Sequence, residues 1–162
     1  MDCSRYDAEE ELQRMGIPDK DWRLTYTNMD FSACATYPRK TCVPEQLRDW
    51  ELRKALEFRA LDRYPCLTWR DRKTLTAICR SSQPLTGLFK ARNREDERLL
   101  QLIREANPSA APLYIVDSRP QINAAANSAL QGAGVEGSNY DNCKVIFLGV
   151  ENIHNVRRSY LR

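Results

Sequence analysis

Two unbroken apolar runs, Leu113-Tyr114-Ile115-Val116 and Val145-Ile146-Phe147-Leu148, constrain this chain more than any other feature. Each has the length of a strand. Each gives way to polar residues and then to a helical pattern, from about Pro120 to Leu130 after the first and from Asn152 to Leu161 after the second. Strands that are apolar at every position, rather than at alternate ones, belong to parallel sheets covered on both faces. The order strand, helix, strand, helix therefore predicts an α/β arrangement. Pro120 suits the first turn of its helix, where its missing N–H would be unpaired anyway.

In an open parallel sheet, ligands gather beyond the carboxyl ends of the strands, where helix N-termini meet. Two stretches fit that description: Asp117 to Asn123, and Gly149 to Ile153. Asn152 opens its helix at the strand exit, so its backbone N–H and side-chain amide can both face an anion. Asn123 and Asn127 are four apart and share a helical face. Plain alternatives stand beside each reading. Asn152 also makes an ordinary N-cap, Asn127 a surface residue or a buried amide bonded to a loop, and Arg119 an internal ion pair with Asp117 that fixes the turn. The pattern of residues reaches an α/β domain with an anion pocket and no further.

The preceding residues read as smaller units. Asp7 caps a short helix, AEEELQRM, which stops at Gly16. Trp22 to Tyr26 alternates like a half-exposed strand, and Lys40 to Val43 is a second short strand. A helix is expected from Glu45 to Phe58, with Leu47, Trp50, Leu52, Leu56 and Phe58 loosely on one face. Cys66–Trp69 and Leu75–Cys79 read as a hairpin around a charged turn. Asn93 caps a strong helix with Leu99, Leu100, Leu102 and Ile103 inward.

A chain of 162 residues suits one ordinary domain. Its 25 basic and 22 acidic residues leave +3, too little to argue for nucleic acid. The six cysteines (3, 34, 42, 66, 79, 143) and the lone His154 show no zinc-like spacing, so neither a metal nor another cofactor is expected. The start carries no apolar signal segment, and no run nears the roughly 18 apolar residues of a membrane span. A cytoplasmic protein with reduced thiols is expected. A thiolate with an Arg six residues on would make a phosphate loop, and two literal matches exist. Cys42 to Arg48 contains Pro44, which has no N–H, and Glu45, which repels phosphate. Cys66 to Arg72 sets its Cys in a strand and crowds the cradle with Trp69 and Asp71. Both are rejected, so no catalytic residue is assigned. The lack of a GxGxxG or Walker-type loop argues against a nucleotide-binding protein.

The segments RMGIP…WRLTYTN, CATYP, VPE, FRALDRYPCLTW, AICRSSQPLTG, EDERLLQLIREANP, LYIVDSRPQINAAAN and VIFLGVENIHNVRRSYL follow one another in this chain. In kind and order they resemble the myotubularin family of phosphoinositide 3-phosphatases, from about Tyr6 to Arg162. The resemblance implies the amino-terminal part of a phosphatase domain over residues 1–162, without the catalytic Cys loop. It implies a partial cysteine-phosphatase-like α/β fold, with a β-hairpin lead-in and a central, mainly parallel sheet flanked by helices. That family removes the 3-phosphate from phosphatidylinositol 3-phosphate and phosphatidylinositol 3,5-bisphosphate through a Cys thiolate, a clamping Arg and an Asp acid/base. By motif match Asn127, Asn152 and Ile153 contact the inositol head group.

The chain departs from the family pattern in places. Ser128 stands where a basic residue usually follows the matched Asn, Ser81 replaces a Cys, and the Gly-rich turn reads LQGAGVE. The family's His-Cys loop is expected downstream of ENIH, so the 162-residue chain alone is expected to be inactive, with an apolar sheet edge exposed. The alternative is a non-catalytic, pseudophosphatase-like module that binds an active myotubularin. The resemblance also implies homo- or hetero-oligomers with other myotubularins and a cytoplasmic location peripheral to endosomal membranes. No nucleic-acid partner and no transmembrane segment are expected.

Overall fold

The computed structural model of the chain describes residues 7–86, 91–109, 111–120 and 140–161. They fall into two compact units, residues 1–82 with 93–111 and residues 83–92 with 112–162.

The first unit begins with helix α1 (Ala8–Arg14), whose N-cap is Asp7; its carboxylate accepts from the N–H groups of Glu9 and Glu10. Gly16 ends it in the left-handed region, at φ +79, where a side chain would be strained. Strands β1 (Trp22–Thr25) and β2 (Thr41–Pro44) pair antiparallel, with Trp22 opposite Pro44 and Thr25 opposite Thr41. Trp22 is fully buried, while Arg23 and Leu24 are only partly covered, so the expected alternation is not clean.

The excursion between these strands is held by one amide. Asn28 Nδ2 lies within 2.9 to 3.1 Å of the carbonyls of Cys34, Tyr37 and Pro38, and its Oδ1 accepts from the Cys34 N–H at 2.8 Å. Asn28 is buried, and a buried amide of this kind substitutes for ladder hydrogen bonds that the irregular segment lacks.

Helix α2 (Asp49–Leu56) starts four residues later than the sequence suggests. Pro44 closes β2, and Leu47 N–H turns back onto the Pro44 carbonyl, so the backbone there is not free to be helical. Arg48 N–H donates to Glu51 Oε2 at 2.8 Å, which sets the new start. Leu52, Ala55 and Leu56 face inward, but Trp50, expected on that face, is 57% exposed. Two residues from Leu52 is about 200° round a helix, which sends Trp50 to the opposite side. Asp49 ties the helix to β1 by accepting from Arg23 Nη2 at 2.6 Å and Thr25 Oγ1 at 3.1 Å.

Strands β3 (Cys66–Arg70) and β4 (Ala77–Arg80) form the expected hairpin, irregular between Leu67 and Trp69. Helix α3 (Arg94–Glu105) is capped by Asn93, which accepts from Asp96 N–H at 2.8 Å. Its buried Leu99, Leu100, Leu102 and Ile103 are the four residues expected inward, and the helix packs on α2. Beside this apolar seam lies a buried ion pair. Arg59 Nε and Nη2 donate to the two carboxylate oxygens of Asp96 at 2.7 and 2.8 Å, and Nη1 donates to the Ser82 carbonyl. Desolvating both charges is costly, and only such two-pronged geometry offsets it.

In the second unit, β5 (Leu113–Asp117) and β6 (Cys143–Phe147) pair parallel, in register from Leu113 opposite Cys143 to Asp117 opposite Phe147. Helix α4 (Ile153–Tyr160) follows. The expected strand–helix–strand segment thus yields its two parallel strands, while the helix expected at 120–130 lies outside the described residues. Two expectations are not met among the described residues. Among the described residues there is no central, mainly parallel sheet: the six strands form three two-stranded sheets, two of them antiparallel. Nor are β5 and β6 covered on both faces, since Tyr114, Val116 and Ile146 are exposed in an alternating pattern.

Candidate functional site

The sequence points to the carboxyl ends of the parallel pair, and the register explains why both exits fall at one level. The ladder continues past the strands: Leu148 N–H donates to the Asp117 carbonyl at 2.9 Å, and Val150 N–H to the Ser118 carbonyl at 2.7 Å. Gly149 lies between them at φ +67 with nothing within 4 Å of a would-be Cβ, so its conformation requires glycine and the space does not.

The β5 exit is locked from within. Asp117 Oδ1 accepts from the Arg119 N–H at 2.9 Å and from Nε at 3.0 Å, while Arg119 Nη2 donates to Oδ2 at 2.6 Å. Burial pushes the Asp117 carboxyl upward, but the bonds from the Arg119 side chain and backbone outweigh it and hold the group below the usual carboxylate range. Arg119 is therefore the internal ion pair that the plain reading anticipated. It is largely committed to its own turn.

The β6 exit offers donors. Asn152 caps α4, its Oδ1 accepting from the N–H groups of His154 at 3.0 Å and Asn155 at 3.1 Å. Asn155 Nδ2 in turn donates to Glu151 Oε2 at 2.7 Å, which braces the first turn. With Oδ1 occupied, Asn152 Nδ2 and the Ile153 backbone N–H have no partner among the described residues. Both stand at the positive end of the helix dipole, where a negatively charged oxygen is favoured. The cap and the anion-site readings of Asn152 are thus compatible: one oxygen caps and one nitrogen remains. Ile153 is 76% exposed as a residue, and its apolar side chain has no polar atom, so its N–H is the group that could bind an anion. Asn127 and Asn123 lie outside the described residues, so Asn152 and Ile153 are the two expected contacts whose positions are seen.

The two Cys-to-Arg matches rejected on sequence are equally unsuited in three dimensions. Cys42 and Cys66 are buried within β2 and β3. Burial pushes the Cys66 thiol up to about 11 and raises that of Cys42 as well, the opposite of an activated nucleophile. Among the described residues no group of three or more His, Cys, Asp or Glu could hold a metal. No described helix is long and apolar enough to cross a membrane. Sequence reasoning missed the role of the Ile153 N–H as a leftover donor, because it follows from which oxygen Asn152 spends on capping.

Comparison with known proteins identifies the family. The model of the myotubularin-like phosphatase domain matches residues 2–162. A phosphatidylinositol-3,5-bisphosphate 3-phosphatase of Gallus gallus, MTMR8, is 46% identical over 154 residues, covering 94% of this chain and 24% of its own. A phosphatidylinositol-3-phosphate phosphatase of Mus musculus, MTMR7, is 45% identical over 94% of this chain and 23% of its own, and a Xenopus laevis myotubularin is 40% identical over 95% and 26%. The chain thus spans about a quarter of the length of these curated relatives. A match that runs from residue 2 to 162, through both hairpins, the capped helices and the paired strand exits, makes this chain a member of the myotubularin-like phosphatase domain family.

Proposed function

We propose that residues 1–162 form the amino-terminal part of a phosphoinositide 3-phosphatase domain and supply head-group contacts rather than the nucleophile. The substrates are those named for the relatives, phosphatidylinositol 3-phosphate and phosphatidylinositol 3,5-bisphosphate. One observation carries the reading: Asn152 Nδ2 and the Ile153 N–H, unpartnered at the start of α4, sit at the carboxyl end of a parallel pair. Two such donors can hold ring hydroxyls or a phosphate oxygen in one orientation, and Asn127 is the third contact in this proposal. The protein works at the cytoplasmic surface of endosomal membranes without spanning them, and the central sheet is completed by further strands of the domain.

The test separates ligand contact from capping. Inositol 1,3-bisphosphate titrated against the chain is expected to shift the Ile153 and Asn152 amide resonances. Asn152→Asp keeps the capping oxygen while replacing the free donor by a negative charge, so it is expected to weaken binding about tenfold with the α4 signals otherwise intact. Unchanged affinity in that variant would remove the pocket. Phosphate release by the 162-residue chain from phosphatidylinositol 3-phosphate is expected to stay at the no-enzyme level.

A second reading rests on the apolar surface of the same unit. Tyr114, Val116, Ile146, Val156 and Tyr160 are exposed, which suits a non-catalytic module bound to an active myotubularin. Co-purification with a full-length relative, lost on Tyr114→Ser with Val116→Ser, is the outcome that favours it.

A further inference from the structure

A cavity of about 320 Å³ lies in the first unit, walled by α1, the segment 36–42 and the β3–β4 hairpin, and it has no part in the head-group reading. Its floor is apolar: Leu12, Met15, Cys42 and Cys66 all line it and all are buried.

The polar groups around it are nearly all engaged with one another. Tyr37 Oη donates toward the Tyr64 and Arg80 carbonyls at 3.0 and 3.2 Å, and Thr41 Oγ1 is 2.6 Å from Tyr64 Oη. Glu11 is paired with Arg14, and Lys40 with Glu9. Arg80 differs. It is exposed, and no carboxylate pairs with it among the described residues.

The register sets where Arg80 lies. Cys66 is directly opposite Arg80 in the hairpin, and directly opposed residues carry their side chains on one face of a sheet. Both residues line the cavity. Arg80 also acts electrostatically on the Tyr37 phenol, another wall residue, opposing the rise that burial imposes on that group. The result is an apolar chamber with one uncommitted guanidinium at its margin.

We infer that this cavity is a binding site for a small amphipathic carboxylate, with the hydrocarbon part on Leu12, Met15 and the two thiols and the carboxylate on Arg80. A guanidinium matches a planar carboxylate with two parallel hydrogen bonds. A polyol phosphate would lose its hydration to a floor that offers no free donors, so the site is chemically distinct from that at Asn152. At about 30 Å³ per water-sized group, the volume takes roughly ten non-hydrogen atoms. Octanoate has that size.

The experiment titrates octanoate, octylammonium and inositol 1,3-bisphosphate separately against the folded chain, following the methyl resonances of Met15 and Leu12. Saturable shifts with octanoate, at least about tenfold tighter than with octylammonium, are expected. Inositol 1,3-bisphosphate is expected to leave those methyls unmoved. Arg80→Gln should weaken octanoate several-fold, and Arg80→Glu should reverse the preference between the two probes, with thermal melts verifying that each variant is folded. Thr68→Trp, at an exposed position on the wall, should block entry. Absence of saturable shifts at Met15, equal affinity for the two probes, or octanoate binding unaffected by Arg80→Gln would each overturn the proposal. None of these outcomes bears on Asn152, so the two sites fail independently.

Discussion

The two units use the same local devices with different support. Asn93 caps α3 and Asn152 caps α4 by the same side-chain-to-backbone bond, yet α3 buries four aliphatic side chains and every described residue of α4 is exposed. Each unit also contains an Arg–Asp pair with two donors. Arg59–Asp96 is buried and joins residues 37 apart, whereas Arg119–Asp117 only fastens a turn. The difference teaches that a motif's energetic weight comes from what surrounds it. A cap or ion pair inside a packed unit is coupled to global unfolding, while the same device outside such packing governs only local order.

The comparison breaks most readily at Asp96. Asp96→Ala leaves Arg59 buried without its carboxylate, and urea denaturation should register a loss of about 3–5 kcal/mol. A loss under about 1 kcal/mol would mean the pair is not buried as described. Next in size, Leu99→Ala should cost about 2–5 kcal/mol, against less than about 0.5 kcal/mol for Ile153→Ala on the exposed helix. The two caps then sharpen the contrast. Asn93→Ala is expected to lower global stability by about 1 kcal/mol, and Asn152→Ala to raise amide exchange in α4 with little change in the urea midpoint.

Two pH effects come last. Burial raises the thiols of Cys42, Cys66 and Cys79, so the folded state favours their neutral forms. That contribution is whole below the ordinary thiol value and fades as pH rises toward about 11 for Cys66. At pH 8 the buried thiols of Cys42 and Cys66 should resist a disulfide reagent until urea unfolds the chain. Asp117 has the opposite sign. Its carboxyl is held low, so the turn it fastens is intact above the ordinary carboxylate range and loosens as pH falls through the depressed value. The protection factor of the Arg119 amide, whose N–H bonds Asp117 Oδ1, should fall as pH drops through that value.

Local signals made much of this legible in the sequence. The caps at Asp7, Asn93 and Asn152, the stop at Gly16 and the hairpin from Cys66 onward depend on neighbours a few residues apart, and they appear as expected. Features set by distant contacts were not legible. The start of α2 depends on Pro44 and Glu45, whose N–H donates to the Asp21 carbonyl, a partner 24 residues away in the chain. The runs at Leu113 and Val145 carried the parallel pairing faithfully but not which face would be covered, since continuous apolarity is silent about where the cover comes from. Asn152 was legible as a cap, and because one side chain holds an acceptor and a donor, its nitrogen is left over. The cavity beside Arg80 was invisible, its walls coming from segments far apart in the chain.

Asn28 reaches beyond its own position. Because a single carboxamide splints the excursion as far as Pro38, the outward side chain of Met29 is released from architectural duty. It can drift in evolution, or be exchanged for a spectroscopic label, while position 28 cannot.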